Sequence, residues 1–296
     1  MKLIRDVSIK QIVALTALLL AVGCAAPSAS VEVRGVVAMT EPQQDSDLIF
    51  IHGYGGSACS WSLIDEDVKQ FASPSYLELV GFGKHEPPKS FDFSISAQAE
   101  HLASRFQGID LSGSAIVAHS MGAGVVLVAM LDHGFSPERV IFVDPLAYQQ
   151  SLPFFIRGQT IPIISGVASR VLPPAYQVDL VLNAIYFDRS NINQTIRGCY
   201  IDEFQTPFHR AALMGTARQL ANFNADAYVS RYGSLEAEFH VIWGQNDPLI
   251  SSTLLPRLVK DLGAASSHLI ENCGHAPHEE CPSQFVEILE KIMVTP

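Results

Sequence analysis

Ala118-His119-Ser120-Met121-Gly122 decides how this chain is read. It follows a short apolar run, Ser114 to Val117, and precedes a longer helix-like one, Ala123 to Leu131. A strand feeding a helix through small residues, with a serine at the apex, reads as a nucleophile elbow. Such a turn is sharp, so the positions two before and two after the serine must be small. Ala118 and Gly122 meet that need, and the Ala118 methyl is the mildest departure from the glycine usual there. Small-x-Ser-x-Gly pentapeptides arise by chance, so the weight rests on the flanking elements and on partners further along the chain.

Outward from the elbow, short apolar runs alternate with helical patterns. Leu48-Ile49-Phe50-Ile51 ends at His52-Gly53 as a buried parallel strand would, and the glycine-rich loop Tyr54-Gly55-Gly56-Ser57 follows. A helix is expected from Ser57 or Ser60 to about Phe71, a strand over Tyr76 to Val80, and an amphipathic helix over Ile95 to Phe106. Further strands are expected at Ala115–Ala118, Arg139–Val143, His240–Trp243 and His268–Ile270, with helices at Leu254–Leu262 and Pro282–Met293. Val31 to Thr40 alternates weakly and reads as an edge strand. The pattern implies an α/β fold: a mostly parallel, doubly wound sheet covered on both faces. One interval breaks the rhythm, with about 90 residues between Asp144 and Glu238 lacking a clear strand. It is punctuated by Pro153, Pro162, Pro173, Pro174 and Pro207 and is too long for one loop. It reads as an inserted, mostly helical cap, with Phe208 to Phe223 already a helix of the main domain.

The resulting organisation is a signal segment over 1–23, a tether and edge strand over 24–46, core over 47–145, cap over 146–213, and core again over 214–296. Lys2, Arg5 and Lys10 precede an uncharged run of 11 residues, Ile12 to Val22, too short to span a bilayer comfortably. Leu20-Ala21-Val22-Gly23-Cys24 resembles a bacterial lipobox, in which the cysteine is lipidated and becomes the new N-terminus. The other readings are an ordinary signal peptide cleaved nearby and an uncleaved anchor. Either form of export places the protein in the cell envelope: a lipoprotein on a membrane, or a periplasmic or secreted protein.

The 48% hydrophobic and 17% charged residues argue against disorder. The net charge of -11, without a Lys/Arg cluster, argues against a nucleic-acid partner. Cys59, Cys199, Cys273 and Cys281 are even in number, as in an oxidising compartment. Cys273 and Cys281 bracket His275, and Cys59 and Cys199 would tie the insertion to the core; four buried hydrophobes are the plainer alternative. No spacing suggests a metal site, and no cofactor is called for.

With His52-Gly53-Tyr54-Gly55, Gly81-Phe82-Gly83, the elbow, Asp247, and Gly274-His275 … Glu280-Cys281-Pro282 … Phe285 in this order, the chain resembles the α/β-hydrolase superfamily over roughly residues 47 to 293. The resemblance implies Ser120 as nucleophile, Asp247 as acid and His275 as base, in the chain order this fold uses. It implies an oxyanion hole from the backbone of Met121 and Tyr54, with Gly55 the alternative to Tyr54. The chemistry needs these residue types: a serine hydroxyl requires a base to take its proton, histidine titrates near working pH, and a carboxylate orients the imidazole. Asp144 is the rival acid and His278 the rival base. His119 reads as structural, and His52 as ordering the glycine loop. The expected reaction is hydrolysis of a small-molecule carboxylic ester with an apolar moiety. A C–C bond hydrolase or thioesterase is the alternative on the same residues, and a non-catalytic binding protein the alternative of another class. Phe154-Phe155-Ile156 and Ile161–Ile164 would be a lipid-facing lid or, more simply, core.

Overall fold

The structure is a computed structural model and describes residues 39–40, 47–161, 171–206, 208–264 and 266–294. The signal segment with Cys24, most of the expected edge strand, and Pro162, Ile163 and Ile164 of the lid reading lie outside the described residues.

Six strands form one parallel sheet: β1 (Leu48–Ile51), β2 (Pro74–Leu77), β3 (Ala115–His119), β4 (Arg139–Val143), β5 (Glu238–Gly244) and β6 (Ser266–Ile270). Their spatial order is β2-β1-β3-β4-β5-β6, every neighbouring pair parallel. The central runs β1, β3 and β4 are largely apolar without alternation because both faces are covered, whereas β6 at the edge alternates in exposure. Ile49, Ile51, Ile116, Val140, Phe142 and Val241 point into one core, shared with the helices Ile95–Arg105, Met121–Asp132 and Leu255–Leu262. Leu48, Phe50, Val117, Ile141, Val143 and Ile242 point into the other, closed by Trp61 and by Phe285, Leu289 and Ile292 of the helix Pro282–Val294. The helix after the elbow is buried all round from Met121 to Ala129, which explains its lack of a polar face.

Two expectations near the first strands are corrected. β2 stops at Leu77, not Val80. Side chains replace the ladder beyond it: His85 Nδ1 donates to Glu78 O, Leu79 N–H donates to His52 Nε2, and Gln98 bonds both backbone groups of Val80. The expected helix to Phe71 is two short pieces, a 3-10 turn at Ala58–Trp61 and a helical turn at Asp65–Val68. The first is closed by a capping box between Ser57 and Ser60 and tethered by the Cys59–Cys199 disulfide. At the sheet edge, Thr40 N–H donates to Tyr76 O at 2.9 Å, although no strand includes it.

Between β4 and β5 the described residues hold no strand. They hold the helices Phe154–Gln159, Pro174–Ile185, Gln194–Glu203 and His209–Asn222, the last running through position 213, where the sequence reading ended the cap. Pro174 opens its helix at a position where the missing N–H is harmless, and Asn193 caps the next through Thr195 N–H. Val178, Leu182, Ile185 and Tyr186 pack with Ala276 into a third small core, so this crossover docks on the loop after β6.

Candidate active site

The chain leaves β1 for β2 on one side and returns to β3 on the other, so the strand order reverses between β1 and β3. Parallel sheets bind ligands at such a point, beyond the strands' C-terminal ends. Ser120 lies there, directly after β3, with φ 51° and ψ −116°. That backbone is strained for a residue with a side chain, and it is held from three sides. Ser120 N–H donates to Val143 O at 2.9 Å, and Ser120 O accepts Leu146 N–H at 3.0 Å and Ala123 N–H at 3.1 Å. Gly122 of the elbow and Gly53 of the loop after β1 are required by close approach. A methyl group on Gly122 would sit 2.5 Å from the His52 carbonyl oxygen, and one on Gly53 would sit 3.0 Å from Ser120 Cβ.

Asp247 follows β5 and His275 follows β6, and the structure brings both to Ser120. His275 Nε2 lies 2.9 Å from Ser120 Oγ, and Nδ1 lies 2.7 Å from Asp247 Oδ2. The carboxylate assigns the tautomer: Nδ1 carries the proton and Nε2 is free to accept one. Asp247 is itself held. Its Oδ1 accepts Leu249 N–H at 2.7 Å and Ile250 N–H at 2.9 Å, and Oδ2 also accepts Trp243 Nε1–H at 3.3 Å. Burial works to raise its pKa, but His275 and the two backbone donors outweigh it and keep the carboxyl below its ordinary value.

The rivals take other places. Asp144, buried with φ 44°, does not hydrogen-bond His275; its Oδ1 accepts Gly244 N–H at 2.9 Å. Burial first, and then the neighbouring Asp247, raise its pKa well above the ordinary range, the opposite direction to Asp247. His278 is buried against Trp61, ring centroids 4.1 Å apart, and burial keeps it neutral. His119 donates through Nε2 to the His275 carbonyl oxygen at 2.7 Å. His52 donates through Nδ1 to Gly53 O and accepts Leu79 N–H at Nε2, which fixes the glycine loop; burial lowers it to about 4. The N–H groups of Tyr54, Gly55 and Met121 have no acceptor among the described residues.

The sequence reading missed what holds the His275 loop. Glu280 accepts Gly274 N–H at 2.8 Å, Asp188 N–H at 2.7 Å and Phe187 N–H at 3.2 Å, so one carboxylate clips the crossover to that loop. His275 N–H donates to Ile185 O at 2.9 Å, and the Cys273–Cys281 disulfide closes the loop. The four cysteines allow three pairings among which the sequence does not choose; the structure pairs Cys59 with Cys199 and Cys273 with Cys281.

Ser120 and His275 open into a cavity of about 280 Å³. Phe154, Phe155, Val178 and Leu182 of the crossover line it, and Phe154 is also 59% exposed. No Asp, Glu, Lys or Arg occurs among its described lining residues.

The sequence matches the alpha/beta hydrolase family over residues 48–288. It is 23% identical over 242 residues to the uncharacterized hydrolase YugF of Bacillus subtilis, covering 81% of this chain and 87% of that protein. It is 23% identical over 251 residues to a 2-hydroxy-6-oxononadienedioate/2-hydroxy-6-oxononatrienedioate hydrolase of Paraburkholderia xenovorans, covering 80% and 83%. A thermophilic esterase from Thermogutta terrifontis shares the fold, with TM-score 0.67, 16% identity, and coverage of 83% of this chain and 88% of that one. The chain belongs to the alpha/beta hydrolase family and is a hydrolase.

Proposed function

We propose that this hydrolase cleaves a carboxylic ester with an apolar moiety through an acyl-enzyme on Ser120. The observation that carries the reading is the unbroken chain Asp247–His275–Ser120 opening into a cavity with no Asp, Glu, Lys or Arg among its described lining residues. As Ser120 Oγ attacks the ester carbonyl, its proton passes to His275 Nε2, and Asp247 stabilises the imidazolium. The oxyanion forms against the N–H of Met121 and the N–H of Tyr54, the residue after the glycine that abuts Ser120; the N-terminus of the helix Met121–Asp132 adds its positive dipole end. His275 then protonates the leaving alkoxide, and water activated by the same nitrogen releases the acid.

C–C bond hydrolysis is the second reading, favoured by the activity named for the Paraburkholderia relative. A dioate substrate brings two carboxylates into the site, and the described lining offers no cation to meet them. That absence supports a neutral ester instead. The cavity lies at the small end of ligand sites, which run from ~300 to ~1,000 Å³, and so suits short or medium acyl groups.

The test is hydrolysis of p-nitrophenyl esters from two to sixteen carbons by wild type and Ser120→Ala. Loss in the variant and an optimum at or below about eight carbons are expected. No wild-type activity at any length would overturn the ester reading. We propose in addition that Cys24 is lipidated and holds the enzyme on the envelope membrane. Two disulfides support an oxidising compartment. Cys24→Ser should move the protein to the soluble fraction, and a variant that still partitions with membranes would refute the anchor.

A further inference from the structure

Two hydroxyl-bearing residues that line the cavity, Ser60 and Tyr200, are backed by a buried acid. Glu279 Oε1 accepts the Tyr200 hydroxyl at 2.7 Å, and Oε2 accepts the Tyr186 hydroxyl at 3.0 Å. Ser60 Oγ lies 3.1 Å from the Tyr200 oxygen and also bonds Glu279. Glu279 is 2% exposed. No Lys or Arg pairs with it among the described residues, and His278 Nε2 is 3.7 Å away on a ring that burial keeps neutral. A buried carboxylate without a counter-ion persists only if donors surround it, and here these are hydroxyls.

Proton counting then sets the polarity of the wall. A hydroxyl has one proton and two lone pairs. Tyr186 and Tyr200 donate theirs to Glu279, and Ser60 donates to Tyr200 or Glu279. Ser60 Oγ already accepts Ser57 N–H in the capping box, so each of the two oxygens keeps at least one lone pair, and all that the pair can offer the cavity is an acceptor. Resting on the ester reading, we propose that Ser60 and Tyr200 form an acceptor subsite that binds a hydrogen-bond donor, a hydroxyl, carried on the apolar moiety of the substrate, with Glu279 as the positioning residue behind it. Such a wall selects against a carboxylate, as do the described lining residues around it, which include no Lys or Arg.

The experiment separates this subsite from the ester reading by using two readouts on the same compounds at pH 8, above the Glu279 pKa of about 7. The compounds are methyl hexanoate, its 3-hydroxy and 6-hydroxy derivatives, and the matching methoxy ethers. Turnover by wild type tests ester hydrolysis. Calorimetric binding to Ser120→Ala tests the subsite whether or not turnover occurs. At least one hydroxy ester should bind about five- to tenfold more tightly than its parent, the worth of one neutral hydrogen bond, and the methoxy ether no more tightly than the parent. Adding Tyr200→Phe, or Ser60→Ala should the first variant not fold, should return the hydroxy-to-parent ratio to about one. Equal affinity for all compounds, preference for the ether, no binding, or a ratio unchanged in both variants would overturn the subsite.

Discussion

Glu203 closes the helix Gln194–Glu203 and is buried against the loop after β1, with one carboxyl oxygen, Oε2, lacking a hydrogen-bond partner. Burial raises its pKa from 4.5 to about 8; the Ser57 hydroxyl opposes the rise, while Glu78 and Glu279 add to it. In the unfolded chain the group ionises near its ordinary value, so the unfolded state releases its proton first as pH rises. The stability linked to Glu203 is therefore complete below about pH 4.5 and is lost progressively up to about pH 8. At about 1.4 kcal/mol for each pKa unit, the loss is of the order of 5 kcal/mol. Glu203→Gln keeps the shape and removes the titration. Urea midpoints of the two oxidised proteins should run close together near pH 5, and the variant should gain on wild type at a slope of about 1.4 kcal/mol per pH unit toward pH 8. Other titrating groups are common to both proteins and cancel in the difference. Parallel stability curves, or a wild type that gains on the variant as pH rises, would refute the claim that this carboxyl is neutral in the fold.

The remaining predictions concern the site and its fastenings. Asp247→Asn should lower kcat on any hydrolysed ester by about 10³- to 10⁴-fold, as expected when the imidazole loses the acceptor that sets its tautomer; a loss under tenfold would mean that Asp144 serves as the acid. Gly53→Ala should abolish turnover, because the new methyl meets His119 Nδ1 at 2.9 Å and Ser120 Cβ at 3.0 Å, and a near-normal steady-state rate would contradict that crowding. The two disulfides close loops of very different length, with separations of 140 and 8 residues. Chain entropy gives about 5 kcal/mol for the first and about 2.5 kcal/mol for the second. Replacing Cys59 and Cys199 by serine should lower the urea midpoint more than replacing Cys273 and Cys281, and the reverse order would show that the short bridge acts mainly on the folded loop.

The strands and the elbow were legible because their signals are local. A fully apolar run ending in His-Gly, or a small-x-Ser-x-Gly turn between strand and helix, states its environment within ten residues. Arg139–Val143 could be read to its ends, since both faces of β4 are buried. β2 could not, because His85, His52 and Gln98 take over the backbone groups of Glu78, Leu79 and Val80 from three separate parts of the chain. Nothing in the run Tyr76-Leu77-Glu78-Leu79-Val80 marks that exchange. Ser120, Asp247 and His275 could be nominated by order and type, with Asp144 ranked below Asp247, but the burial that raises the Asp144 pKa is revealed only by the fold.

Glu279-Glu280 shows the same limit at the point where it matters for the site. Two adjacent acids at the start of a helical turn read as solvated charges that favour a helix N-terminus. In the fold both are buried, and they face different partners. Glu279 gathers hydroxyls from Tyr186 and Tyr200, and Glu280 gathers backbone N–H groups from Phe187, Asp188 and Gly274. All these partners except Gly274 belong to the crossover between β4 and β5. With His275 N–H donating to Ile185 O, the position of the imidazole is set jointly by the sheet, which supplies its loop, and by the crossover, which grips that loop. Weakening the crossover's docking should therefore lower turnover as well as stability, even at residues that never meet the substrate. The motif that identifies the histidine carries no trace of this dependence, because its other half lies some 90 residues upstream.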